Sequence, residues 1–257
     1  MSGNRILISS CALVIIIAFG CKPKKEDAAL LRIAVAANMQ YAIDELVAQF
    51  EKDSGYTCEV ILGSSGKLFA QIKEGAPYDL FLSADMTYPE ALHSNNLTLG
   101  PPSIYAYGAL VLWTSETSLN PSMEVLQTDS VRHIALANPR TAPYGKAAME
   151  VLDYYGLKTP LSNKLVFGES VGQTNQFISS GAADIGFTSE AVVVSREMKN
   201  KGRWILINKT AYAPMPQGVV IINGKMSKKQ GAQDFYEYLF SKEGKDILQK
   251  FGYSVDE

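Results

Sequence analysis

Apolar and polar positions along the chain switch repeatedly between two rhythms. Residues 31–36 form a compact apolar run suited to a buried strand. From Asn38 the spacing becomes helical, with Ile43, Leu46, Val47 and Phe50 on one face. Gly55 ends that helix. A second strand is expected over 58–62, followed by the tight loop Gly63-Ser64-Ser65-Gly66 and a short helix to about residue 74. Gly75-Ala76-Pro77 then leads into a strand over 79–83. This strand–helix–strand–helix–strand order implies parallel strands joined by right-handed crossovers. The long apolar run 105–113 is suited to carrying the chain from one lobe to another. A second series follows, with strands at 133–137, 165–167, 183–188 and 204–207. Helices lie between them, from about 144, over 172–179 and from 189. The tail adds a strand at 219–222 and helices over 228–240 and 243–251.

Two α/β lobes of about 100 residues each fit this pattern. No linker, close repeat or low-complexity tract separates them, so the chain is expected to cross between lobes more than once. The boundaries expected are 30–107 with 214–257 for lobe I and 108–213 for lobe II. That is the plan of a protein that binds in a cleft and closes by a hinge.

Composition narrows the picture only a little. The apolar fraction is 47% of 257 residues, ordinary for a globular protein. The formal charge is −2 with both signs mixed and no basic stripe, which argues against nucleic acid as a partner. The N-terminus says more. Arg5 precedes an apolar run over 6–20, about 15 residues, short for a bilayer span and right for a signal-peptide core. It ends at Gly20-Cys21, ahead of the polar stretch Lys22-Pro23-Lys24-Lys25-Glu26-Asp27. The arrangement resembles a bacterial lipoprotein signal: residues 1–20 are cut away, Cys21 carries the lipid and 21–29 form a linker. An uncleaved membrane anchor is the alternative. Either way the globular part lies outside the cytoplasm, in the cell envelope. Losing Arg5 takes the charge from −2 to −3. With Cys11 removed and Cys21 acylated, Cys58 stands alone, and no internal disulfide forms. A buried, inert thiol is expected there.

The candidate chemistry lies in four turns: Ala36-Ala37-Asn38, Gly63-Ser64-Ser65-Gly66, Ala142-Pro143-Tyr144-Gly145 and Ser170-Val171-Gly172. Each follows a strand and opens a helix. In open α/β sheets, ligands sit beyond the carboxyl ends of strands. A helix start there offers free N–H donors and the positive end of the helix dipole. Any one such turn is more often an ordinary cap; two from each lobe facing across a cleft make a donor-rich cage for an anion. Rival chemistries fit less well. Lys67 stands where the hydrolase elbow needs its second glycine. Ala147 replaces the hydroxyl residue of a phosphate-binding loop, and Arg140 its first glycine. His93 and His133 have no metal-ligand spacing, and Asp85 suits a helix cap better than acid–base chemistry. Lys67 and Arg140 read as solvated or as steering an anion.

Several stretches carry a resemblance. Ile33-Ala34-Val35-Ala36-Ala37-Asn38 resembles the opening strand and anion loop of periplasmic molybdate-binding proteins, the ModA type. Gly75-Ala76-Pro77-Tyr78-Asp79-Leu80-Phe81-Leu82-Ser83-Ala84-Asp85 is similar to that family's most recognisable segment. Ala137-Asn138-Pro139, Ala142-Pro143-Tyr144-Gly145, Gly186-Phe187, Phe235-Tyr236-Glu237-Tyr238-Leu239 and Phe251-Gly252-Tyr253 also match. The resemblance covers essentially the whole chain after residue 30. It implies an α/β, two-lobed periplasmic-binding-protein fold of type II with the ligand cleft between lobes. It implies a non-enzymatic, monomeric capture protein for molybdate or tungstate, without a cofactor, serving the permease and ATPase subunits of an ABC importer. Another tetrahedral oxyanion such as sulfate, or an enzyme on the same fold, is the alternative. The family's ligand contacts fall on Ala37, Asn38 and Ser65 in lobe I and on the backbone of Tyr144 and Val171 in lobe II. A tyrosine found near the site in some members aligns with Phe187, which lacks the hydroxyl.

Overall fold

The computed structural model describes residues 30–224 and 229–255. The expected signal segment 1–20, Cys21 and the linker 21–29 lie outside the described residues.

The first half-chain builds β1 (Leu30–Ala36), α1 (Gln40–Ser54), β2 (Thr57–Gly63), α2 (Ser65–Lys73), β3 (Leu80–Leu82), α3 (Thr87–Ser94) and β4 (Ser103–Gly108). Then come β5 (Leu110–Thr114), β6 (Ile134–Ala137), α4 (Pro143–Tyr154), β7 (Leu165–Gly168), α5 (Val171–Ser179), β8 (Ile185–Ser189), α6 (Glu190–Val193) and β9 (Arg203–Leu206). The chain ends with β10 (Met215–Ile221), α7 (Lys229–Phe240) and α8 (Lys242–Lys250).

These strands form two five-stranded sheets, ordered β2-β1-β3-β10-β4 and β7-β6-β8-β5-β9. In each sheet the first three strands are parallel, as the alternating series predicts. The fourth, β10 or β5, runs antiparallel to both neighbours. Sequence reading does not foresee this reversal, because it depends on which lobe each crossing strand enters. The apolar run 105–113 is in fact two strands. β4 belongs to the first sheet and β5 to the second, so the chain changes lobe at Gly108-Ala109. It returns between β9 and β10.

Alternation along β1 decides how the first lobe packs. Leu31, Ile33 and Val35 face Ile43, Leu46 and Phe50 of α1, with Phe235 and Leu239 of α7 and Leu248 of α8. Ala34 faces the other way, with Phe81 and Val220, onto Leu68 and Ile72 of α2 and Leu92 of α3. The second lobe has one core, around Trp113, Leu136, Val151, Ile185 and Phe187. Gly55 ends α1 in the left-handed conformation, at φ 76°.

Local details follow at Asn38, His93 and Cys58. Asn38 does not start α1; it sits in a single 3-10 turn, Ala37–Met39, and α1 begins at Gln40. His93 lies in the last turn of α3, its ring 2.9 Å from the Thr98 hydroxyl. Cys58 is half-buried on β2, and burial together with the nearby Glu51 carboxylate pushes its thiol up to about 12. The thiolate is the reactive form. Native Cys58 should therefore react with iodoacetamide at pH 8 at least about 100-fold more slowly than in urea, as read by peptide mass spectrometry. Equal rates would contradict the burial.

Candidate functional site

The four turns singled out by sequence meet in one place. Ala36, Ala37 and Asn38, Gly63, Ser64 and Ser65, Ala142, Pro143 and Tyr144, and Val171 line one small, tight cavity of about 10 Å³, together with Ala84. All five expected contact residues, Ala37, Asn38, Ser65, Tyr144 and Val171, lie on it and are buried. The reason is topological: the turns follow β1, β2, β6 and β7, at the carboxyl ends of the parallel strands of each sheet.

Each turn delivers backbone donors. The first N–H groups of a helix have no carbonyl of their own helix to bond, and they carry the positive end of its dipole. Ser65 opens α2 after Ser64, whose extended backbone makes it the N-cap without a side-chain capping bond. Pro143 opens α4 after Ala142, so the first position needs no N–H and Tyr144 supplies the next one. Val171 opens α5, where the Ser170 hydroxyl accepts from the Gln173 N–H and closes the turn. Gly145 lets α4 start hard against β6: a Cβ there would lie 2.0 Å from the Ala137 carbonyl oxygen.

Two side chains add to the backbone set. Ser65 Oγ accepts the Ala84 N–H at 3.0 Å, which leaves its own O–H to point elsewhere. Ser64 Oγ is buried on the cavity wall without a protein partner. Sequence reading passes over Ser64 in favour of its neighbour, although the loop Gly63-Ser64-Ser65-Gly66 contains both. Among the described residues, no Asp, Glu, Lys or Arg lines the cavity. With helix-start N–H groups and the Ser64 hydroxyl around it, the cavity suits a small, unprotonated anion.

Behind the wall lies a buried polar network. The Asn38 Nδ2 group donates to Gln217 Oε1 at 3.0 Å and to Tyr253 Oη at 2.9 Å. Tyr105 Oη donates to Gln217 Oε1 at 2.9 Å, and Gln217 Nε2 donates to Tyr144 Oη at 3.2 Å. The amide that sequence aims at the ligand is thus turned toward Gln217 and Tyr253, neither of which lines the cavity. Burial holds the Tyr105, Tyr144 and Tyr253 phenols well above their ordinary pKa, so all three stay neutral. The Tyr144 phenol also has a structural partner that sequence does not reveal. The one available signal for Gln217 was its polarity within the otherwise apolar strand β10.

The two lobes touch at the cavity's edge. Gly66 N–H donates to the Thr141 carbonyl at 2.8 Å, and Tyr88 Oη donates to the Arg140 carbonyl at 3.3 Å. Lys67 pairs with Glu169 at 2.5 Å, both side chains about half exposed. Lys67 is therefore a cross-lobe partner rather than a free steering charge; such exposed pairs contribute under about 1 kcal/mol. Phe187 is buried in the second core and does not line the cavity. Asp79 is buried and accepts the Arg32 N–H at 2.7 Å, and Asp85 accepts from the Ser83 hydroxyl at 3.0 Å. Burial raises the Asp85 carboxyl. Neither carboxylate reaches the cavity wall.

Comparison with known proteins places this architecture. The sequence pattern of the family described as bacterial extracellular solute-binding protein matches residues 31–254. The molybdate-binding protein ModA of Azotobacter vinelandii is 34% identical over 245 residues, 95% of this chain and 97% of the relative. That of Rhodobacter capsulatus is 35% identical over 230 residues, 87% of each chain. The solved Azotobacter vinelandii periplasmic molybdate-binding protein superposes with a TM-score of 0.84 at 35% identity, covering 88% of this chain and 100% of that one. With two matching α/β sheets, a cavity at their facing helix starts and relatives of this extent, the chain belongs to the bacterial extracellular solute-binding proteins.

Proposed function

We propose that this protein captures molybdate, or the nearly isosteric tungstate, outside the cytoplasm and hands it to the permease and ATPase subunits of an ABC importer. One observation carries the reading: three helix starts and one 3-10 turn from two lobes enclose one cavity whose wall offers hydrogen-bond donors and, among the described residues, no charged side chain. Molybdate is doubly charged and unprotonated near neutral pH, so its oxygens only accept. Phosphate keeps a proton there and wants an acceptor in the wall. The ModA relatives, similar along nearly the whole chain, support the same ligand.

In this reading Ala37, Asn38, Ser65, Tyr144 and Val171 hold the anion, and Ser64 adds a hydroxyl. The protein binds and releases its ligand unchanged, with no catalysis and no cofactor. Residues 30–107 with 214–257 form lobe I and 108–213 form lobe II. Cys21 carries a lipid that keeps the monomer at the membrane.

Ser65→Ala should weaken molybdate binding roughly ten- to a hundredfold, the cost of about one hydrogen bond to a charged group, at 1.5–3 kcal/mol. Titration calorimetry reads this directly. A silent Ser65→Ala would reduce Ser65 to a structural acceptor for Ala84. Radiolabelled palmitate should enter the full-length protein expressed in a bacterium and not Cys21→Ala, and labelling of both would refute the anchor.

A further inference from the structure

The Asn38 carboxamide spends its donor end on the protein and leaves its acceptor end unpaired. Its Nδ2 is committed to Gln217 and Tyr253, while its Oδ1 is buried without a hydrogen-bond partner in a residue that lines the cavity and is 2% exposed. A buried carbonyl oxygen without a partner is costly, and one beside a dianion is more so.

The network around it has a second solution that keeps every heavy atom in place. If both amides turn over, Gln217 Nε2 occupies the present Oε1 position and donates to Asn38 Oδ1 at 3.0 Å and to Tyr105 Oη at 2.9 Å. Gln217 Oε1 then accepts from Tyr144 Oη at 3.2 Å, and Asn38 Oδ1 accepts from Tyr253 Oη at 2.9 Å. Tyr105 Oη turns its proton to the Ser83 carbonyl, 3.4 Å away. The neutral phenols serve as donor or acceptor in either arrangement. One thing changes at Asn38, a cavity-lining residue: Nδ2, a donor, stands where the unpartnered Oδ1 stood. Turning Asn38 alone would set its Oδ1 against Gln217 Oε1, so the two amides are coupled. Gly108 leaves the room this coupling needs, since a Cβ there would lie 2.2 Å from Tyr144 Oη and 2.3 Å from Gln217 Nε2.

We infer that Gln217 is a positioning residue for anion recognition: it and Asn38 reverse together on binding, and Gln217 holds the Asn38 amide with its N–H toward the ligand. Through Tyr144, the second residue of α4 on the second sheet's side, the same residue ties that orientation to contact between the lobes. The inference rests on the oxyanion reading above and adds how one of its contacts is set.

Two measurements test it, with molybdate as the probe. The first is a double-mutant cycle by titration calorimetry on the unaltered protein, Asn38→Ala, Gln217→Met and the double variant. Asn38→Ala is expected to weaken binding about 10- to 100-fold and Gln217→Met about 5- to 30-fold. If Gln217 acts through Asn38, the double variant loses no more than about twofold beyond Asn38→Ala alone. Multiplying losses overturn the inference, as expected if Gln217 only supports the fold. The second uses the unaltered protein and needs no variant to fold. Nuclear Overhauser contacts from the Gln217 side-chain amide protons should move from the Tyr144 ring to the Tyr105 ring on saturation with molybdate. Contacts that stay on Tyr144 overturn the reversal while leaving the oxyanion reading intact. No molybdate binding by the unaltered protein removes both together.

Discussion

Gly66→Val is expected to weaken molybdate binding about 30- to 100-fold while leaving the unliganded protein folded. Gly66 is the second residue of α2, and it faces the other lobe. A Cβ there would lie 3.0 Å from both the Cα and the carbonyl oxygen of Thr141, and 2.7 Å from Tyr88 Oη. Its N–H also donates across the gap to Thr141. A branched side chain wedges the lobes apart at the edge of the cavity. Overpacking of this kind costs about 1–3 kcal/mol. The Tyr88 hydroxyl is the far end of a flexible side chain and can move aside within its own lobe, so the cost falls mainly on contact with the Thr141 backbone, lowers the binding-competent fraction and raises the apparent Kd in proportion. A penalty of 2–2.7 kcal/mol corresponds to about 30- to 100-fold. Valine is a better helix former than glycine, so α2 itself does not suffer. The melting temperature without ligand should move by no more than a few degrees, and calorimetry should show the loss. Unchanged affinity would mean that the anion is held without closure at Thr141.

Gly145→Ala is expected to lower the melting temperature by roughly 4–8 °C. Helix propensity alone gives the opposite sign, since alanine stabilises a helix interior over glycine by about 1 kcal/mol. The local geometry outweighs it. The added Cβ would sit 2.0 Å from the Ala137 oxygen and 2.6 Å from its carbonyl carbon, both backbone atoms of β6. Backbone does not swing aside as a side chain does, so α4 must lift from the sheet. About 3 kcal/mol of overpacking less about 1 kcal/mol of helix propensity leaves about 2 kcal/mol, and at 2–4 °C per kcal/mol for a chain of this size the drop follows. The same movement displaces the Tyr144 N–H, so affinity should fall with stability. A rise in melting temperature would show that α4 has slack over β6.

The helix starts were legible because local chemistry marks them. Glycine, serine and proline at strand-to-helix junctions announce a turn, a cap and a free donor within four residues of chain. Alternating rhythms likewise mark the parallel strands and their helices. What escapes such reading is contact between distant segments. Asn38 and Gln217 stand 179 positions apart and Asn38 and Tyr253 215 apart, so nothing in local spacing ties them together. For the same reason the Tyr144 phenol reads as dispensable from sequence, although in the fold it meets a strand returning from the other end of the chain. Local spacing does not mark where the run 105–113 divides, because every residue in it is apolar or small. Its division at Gly108 depends on two buried side chains that need the space a Cβ would fill.

The central claim is that this donor-lined cavity selects an unprotonated tetrahedral dianion of molybdate size. Titration calorimetry of the unaltered protein against molybdate, tungstate, sulfate and phosphate at neutral pH tests it most directly. The account predicts tight binding of molybdate and tungstate, with sulfate at least about 100-fold weaker, a gap of roughly 2.7 kcal/mol, and phosphate weaker still. Sulfate or phosphate binding as tightly as molybdate, or no binding of any of the four, would contradict it.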